Sequence, residues 1–134
     1  MSFGIGLHAM VALAYNEGKR LPSSALASSI GANAVTVRRI LAQLSAAGLV
    51  ETISGPGGGS CLAQPASKIT AYDVYEAIGE PPFVTGHTKD PQKVCIVSEC
   101  MPSIFERLES EVADKAIPVL RKTTLQSLVD QEVG

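Results

Sequence analysis

Between residues 33 and 50 the apolar side chains recur at the spacing of an α-helix. Val37, Ile40, Leu41 and Leu44 fall on one side of such a helix, and Val35, Arg39, Ala42 and Ala46 fall opposite. Arg38, Thr36 and Gln43 flank that outer face. The pattern predicts a helix from about Ala34 to Ala47, capped by Asn33 and ended by Gly48. Its outer face carries two arginines among small side chains. A face of that kind can lie flush against another surface while its charges point outward.

The same reading, carried along the chain, predicts a series of short elements. Phe3 to Tyr15 reads as a first helix stopped by Asn16-Glu17-Gly18, with Gly18 as a left-handed cap. Lys19-Arg20 follows in a loop, either as two solvated charges or as a phosphate contact. Pro22-Ser23-Ser24 opens a second, short helix that Gly31 closes. Two short helices joined by three or four residues match helix-turn-helix spacing, and also that of an ordinary helical hairpin. Leu49–Ser54 and Ser60–Gln64 are strand-like runs on either side of Gly55-Pro56-Gly57-Gly58-Gly59, which makes a β-hairpin. Directly after a helix-turn-helix, that hairpin is a wing. Its bare backbone at Gly57 and Gly58 can approach a phosphate or enter a narrow groove. A nucleotide-phosphate loop needs a Lys-Ser/Thr and a helix after its glycines, and neither follows here.

Thr70 and Asp73 form an acidic variant of the capping box for a fourth helix, which ends at Gly79. Glu80 to Cys100 is irregular. Pro102 fits the first turn of a last, long helix. Along it Met101, Phe105, Leu108, Val112, Ala116 and Val119 recur at steps of three and four, a narrow seam that suits pairing with an equivalent helix. Pro118 is expected to kink or shorten that helix, and Thr123 or Thr124 to cap a final turn containing Leu125.

Composition narrows the function classes. The chain has 134 residues, of which 46% are hydrophobic and 18% charged, so one packed domain with an appended element is expected. Neither a membrane span nor a signal peptide is legible, and three cysteines suit a reducing, cytoplasmic setting. The net charge of −2 argues weakly against nucleic acid, but its distribution does not. Residues 1–70 hold five Lys/Arg against two Asp/Glu, a balance of +3, and residues 71–134 hold six against eleven, a balance of −5. The first half is the one suited to an anion. The histidines, His8 and His87, stand far apart and join no catalytic constellation, so an enzyme is not expected.

The motifs Leu26-Ala27-x-x-Ile30-Gly31, Val35-x-Val37-Arg38-Arg39-Ile40-Leu41-x-x-Leu44-x-x-Ala47-Gly48-Leu49-Val50, Gly55-x-Gly57-Gly58-x-x-x-Leu62-Ala63 and Ile69-Thr70-x-x-Asp73-Val74-x-x-Ala77-Ile78 occur in this order. Together they resemble the Rrf2 family of bacterial winged-helix transcription regulators. The resemblance implies a mainly α fold with a small β-hairpin: a winged helix-turn-helix DNA-binding domain over residues 1–80, a variable sensor loop over 81–100, and a dimerisation helix with a C-terminal tail over 101–134. It implies a homodimer on double-stranded DNA with a palindromic operator, acting as a repressor. Family recognition positions fall on Asn33, Val35, Thr36, Arg38, Arg39 and Gln43. Arg39 suits a guanine, Val35 a thymine methyl and Arg38 a phosphate. Members often carry an arginine just before the wing glycines, where this chain has Ser54. A winged-helix module that binds protein rather than DNA is the alternative.

The cysteines bear on the signal. Family members that hold an iron–sulfur cluster place three cysteines together after the fourth helix. Here that region has Cys95 and Cys100, while Cys61 lies in the wing. A cluster or metal site would draw on Cys95, Cys100 and His87 and still need a further donor, such as Glu99 or a group from another protomer. No cofactor is expected on that count, and an iron–sulfur or metal-sensing regulator stays as the second alternative. Cys95 and Cys100 can instead form a thiol switch, by bending of the loop or by pairing across a dimer. Packing as inert small hydrophobes is the plain reading.

Overall fold

The computed structural model describes residues 2–79, 83, 84, 86 and 95–134. Its elements are α1 (Ser2–Tyr15), α2 (Ser23–Ile30), α3 (Ala34–Ala46), β1 (Val50–Ile53), β2 (Gly59–Leu62), a 3₁₀ turn (Ala66–Lys68), α4 (Ala71–Ile78), α5 (Ile96–Arg121) and α6 (Leu125–Leu128), the last running into a wider π-helical turn (Val129–Val133). The order of helices and hairpin is the one that the hydrophobic pattern predicts. Among the described residues no helix is long and apolar enough to cross a membrane.

The chain forms two compact units, one of residues 1–80 with 120–134 and one of residues 81–119. The first unit is built on α1. Its Ala9, Met10 and Leu13 are almost wholly buried, and Met10 and Leu13 share one core cluster with Leu26 of α2, the inner stripe of α3 and Val74 of α4. Gly6 lets α4 come close, since a methyl group there would stand 3.0 Å from Ile78 Cδ1. Leu125 is completely buried in the same core. It arrives there because Leu125 N–H donates to Ile69 O at 2.9 Å and Ala71 N–H donates to Thr123 O at 2.8 Å. The C-terminal residues, grouped with the long helix in the sequence reading, thus close the core of the first unit.

Local signals explain the element ends. Thr70 accepts from Asp73 N–H at 3.1 Å and Asp73 accepts from Thr70 N–H at 2.9 Å, the capping box expected there. Thr124 and Ser127 repeat the arrangement at α6, both at 3.1 Å. The long helix departs from expectation. It starts at Ile96, so Pro102 lies inside it rather than in its first turn, and it runs past Pro118 to Arg121. The last five residues of the expected sensor loop are therefore helical. No residue of α5 is buried, and Leu108 and Val112 are 39% and 40% exposed. In this second unit Val84 N–H donates to Glu109 Oε2 at 2.5 Å, and Gly86 packs on the Phe105 ring.

Candidate nucleic-acid interface

The inner and outer faces of α3 are sharply divided. Val37, Ile40 and Leu44 are fully buried, whereas Val35 is 65% exposed and Arg38, Arg39, Ala42 and Ala46 are exposed with it. Three residues (Gly31-Ala32-Asn33) turn the chain from α2 into α3. Asn33 caps α3 by accepting from Val35 N–H at 2.7 Å. Its side-chain oxygen is occupied by that bond, although the residue is exposed at the edge of the outer face. Thr36 is half-buried on one flank.

Gln43 requires a correction. Its amide donates to Ile78 O at 3.3 Å, at the end of α4, and its Oε1 is buried without a hydrogen-bond partner. The side chain is engaged with α4 and does not stand on the outer face with Arg39. The helical wheel placed it at the border of that face, and only the position of α4 decides which way it turns.

The wing pairs β1 with β2 in antiparallel register, Val50 opposite Leu62 and Ile53 opposite Gly59. Ser54, Gly55, Pro56 and Gly57 at its tip are exposed, and Gly58 is half-buried. Two contacts tie the hairpin to the start of the helix-turn-helix. Leu21 and Ser60 exchange backbone hydrogen bonds of 2.9 and 2.8 Å. Arg20 reaches the Gly59 and Glu51 carbonyls with long bonds of 3.4 and 3.5 Å and lies 3.9 Å from the Glu51 carboxylate. Arg20 therefore braces the wing while part of its side chain stays exposed. Sequence reasoning missed this because the partners are about 30 to 40 residues away. Gly59 permits the closeness: a methyl group there would come within 2.7 Å of the Leu21 carbonyl.

Of the two histidines, His8 lies on α1 with Nε2 3.1 Å from Ser29 Oγ. His87 lies outside the described residues. The three cysteines are free thiols, with Cys61 half-buried in β2 and Cys95 and Cys100 exposed. Cys95 caps α5. Ser98 N–H donates to Cys95 Sγ at 3.5 Å, and Cys95 N–H donates to Ser98 Oγ at 3.0 Å. The Ser98 backbone N–H, helped by its hydroxyl, holds the Cys95 thiol below its ordinary value. Cys100 lies within α5, five positions on. Five helical steps separate Cα atoms by about 8 to 9 Å, beyond the span of a disulfide. Pairing within one chain therefore requires the first turn of α5 to unwind, which corrects the picture of a loop that merely bends.

An iron–sulfur cluster takes four donors. Among the described residues no three His, Cys, Asp or Glu side chains gather as a metal site. Cys95 and Cys100 supply two of those donors, and His87, the third candidate, lies outside the described residues.

Comparison with known proteins places this geometry. The family model Rrf2, described as an iron-dependent transcriptional regulator, matches residues 2–131. The HTH-type transcriptional regulator IscR of Cereibacter sphaeroides is 30% identical over 134 aligned residues, covering 96% of this chain and 86% of that protein. Among solved structures, CymR (YrzC), the global cysteine regulator of B. subtilis, superposes with a TM-score of 0.68 at 24% identity, over 97% of this chain and 94% of that one. The oxidized form of Staphylococcus aureus CymR gives a TM-score of 0.66 at 24% identity, over the same shares.

Proposed function

Because this chain belongs to the Rrf2 family of transcriptional regulators and is a DNA-binding regulator by that membership, we propose that it acts as a homodimer reading a palindromic operator. The observation that carries the proposal is the division of α3: an inner stripe at or near full burial, and an outer face with Val35 and Arg39 open. In the major groove, Arg39 pairs with a guanine edge and Val35 packs on a thymine methyl. Asn33 and Thr36 border the same face, and Arg38 meets phosphate. The wing backbone at Gly57 and Gly58 lies along the neighbouring minor groove.

Dimerisation is supported by α5, whose 26 residues include none that is buried. Leu108 and Val112 are one turn apart on one face of it. A second copy of the helix covers such a seam. In the division of labour that follows, residues 1–80 with the C-terminal tail bind DNA, and residues 101–121 join the protomers. A dimer across a promoter excludes polymerase, so repression is the mode proposed, in the cytoplasm where the chromosome lies. The chain's role is binding rather than catalysis, in line with relatives that are regulators.

The signal proposed is oxidation of Cys95, the thiol with the lowered pKa, next to the start of the dimer helix. The family's description as iron-dependent favours a second reading, a metal or iron–sulfur sensor using Cys95, Cys100 and His87. Anaerobic purification followed by visible absorption, metal content and thiol counting separates the two: a colourless, metal-free protein that still loses DNA on oxidation supports the thiol.

Light scattering tests the dimer. Wild-type protein is expected at twice its chain mass of 14.0 kDa. Val112→Glu, which places a charge in the seam, is expected to give the single-chain mass with weakened operator binding. A wild-type monomer that binds DNA tightly would contradict the proposal.

A further inference from the structure

The wing has two faces, and strand alternation assigns its side chains to them. Thr52 and Ser60 stand opposite each other in the register, their hydroxyl oxygens 3.0 Å apart, and line one surface with Leu41 and Ala42 of α3. Cys61 and Glu51 are the next pair in the register, so they lie on the other face, turned from α3. Arg20 is on that face too, 3.9 Å from the Glu51 carboxylate. A thiol, a carboxylate and a guanidinium are thus gathered on the far face of the hairpin.

A cavity of about 440 Å³ opens there, within the range of about 300 to 1,000 Å³ usual for small-molecule sites. Cys61, Lys19, Arg20, Glu17 and Gln64 are among the residues that line it. Cys61 is half-buried, so a reagent can reach the sulfur and still be held by walls. The polar groups around it are unevenly spent. Glu17 Oε2 accepts from Ala66 N–H at 3.2 Å, and the Gln64 amide donates to Gly48 O at 3.0 Å. Arg20 is shared between the wing carbonyls and Glu51. Among the described residues the Lys19 ammonium has no hydrogen-bond or ion-pair partner. The ligand that this set fits brings a negative charge to Lys19 and a sulfur to Cys61.

We propose that Cys61 is a modification site for small anionic disulfides, oxidised low-molecular-weight thiols that bear carboxylates, and that the adduct unfastens the wing. The Cys61 thiolate, its proton lost to solvent, attacks one sulfur of the reagent. The reagent's S–S bond breaks, a new S–S bond joins Cys61 to one half, and the other half leaves as a thiolate that takes up a proton. Cys61 is oxidised and the departing half is reduced, so no further reactant enters. Lys19 holds a carboxylate of the attached half. A carboxylate so placed competes with Glu51 for Arg20, and the brace between Arg20 and the hairpin loosens. Cys95, the thiol proposed above as the target of the signal, takes no part.

The test uses the full-length chain carrying Cys95→Ser and Cys100→Ser, so that Cys61 is its one thiol. Glutathione disulfide serves as the anionic reagent and 2-hydroxyethyl disulfide as the neutral one, and mass spectrometry of the intact protein follows the adduct. Each reagent is expected to add one group per chain, removed again by dithiothreitol. Adding Lys19→Gln should slow the reaction with glutathione disulfide about fivefold, the factor for one unit charge at contact distance in water. The rate with the neutral reagent should not change. Amide hydrogen exchange in β1 and β2 should be faster in the glutathione adduct and equally fast in an Arg20→Gln protein without it. Combining adduct and Arg20→Gln should add nothing further. Three results overturn the proposal: no adduct on the native chain where the urea-unfolded chain reacts, a Lys19→Gln protein that keeps the wild-type ratio of the two rates, or an adduct with unchanged exchange in the wing. Neither readout needs a duplex, so a failure of base reading by α3 is a distinct result.

Discussion

A thiol stands where a hydroxyl usually caps a helix, at Cys95, and this fixes the chemistry of the residue. Helix N-termini offer unpaired N–H groups, and a sulfur placed there accepts one of them better as thiolate than as thiol. The Ser98 N–H is that donor. The folded state therefore favours the ionised form, and Cys95 alkylation by iodoacetamide is expected to reach half its maximal rate below the pH typical of an exposed thiol, about 8.5. Ser98→Pro removes both the N–H and the hydroxyl while leaving a residue that the first turn of a helix tolerates. The midpoint for Cys95, followed by mass spectrometry of its peptide, should then rise. An identical midpoint in the two proteins would show that capping does not tune this sulfur. At the same scale Arg38 and Arg39, adjacent in sequence and both exposed, are proposed for different tasks because one helical step, about 100°, turns one toward phosphate and the other toward base edges.

Among the elements, the C-terminal turn is the one that function-minded reading undervalues. Leu125 sits completely buried against the helices of the first unit, held by the Ile69 and Thr123 backbone bonds and flanked by Arg121 stacked 4.6 Å over the Tyr72 ring. Leu125→Ala should cost about 2 to 5 kcal/mol in urea unfolding, the range for a large buried aliphatic reduced to a methyl. A loss under about 1 kcal/mol would mean that α6 is only an appendage. Legibility in the sequence follows range. The stripe of α3, the Thr70–Asp73 capping box and the glycine tip of the wing are set by residues within a few positions of each other, and periodicity and turn chemistry reveal them. Arg20 on Gly59, Gln43 on Ile78 and Leu125 in the core join residues roughly 35 to over 100 positions apart, and no local pattern encodes those. The start of α5 was hidden for another reason: Cys95 is not among the usual caps, and Pro102 mimics a helix start while lying six residues inside.

At the scale of the whole molecule, charge is unevenly divided along the chain. Residues 1–70, which carry α3 and the wing, are net positive and residues 71–134, which carry α5, are net negative, so the attraction for DNA lies with the first half of the chain. In the homodimer proposed above, two copies paired along α5 bring two recognition helices to one operator, and a palindromic site matches that two-fold symmetry. The oxidation proposed for Cys95 falls at the start of α5, away from the residues proposed to read bases.

The central claim is that the outer face of α3 reads base sequence, and Arg39 is its most specific residue. Selection from random duplexes by wild type and by Arg39→Ala, with affinities measured at one fixed salt concentration, tests it most directly. The account predicts that Arg39→Ala loses discrimination at one base pair in each half-site, by about 1 to 3 kcal/mol, while binding to unrelated duplexes falls only by the share of one charge. An Arg39→Ala protein with the same selected sequence and full operator affinity would contradict it.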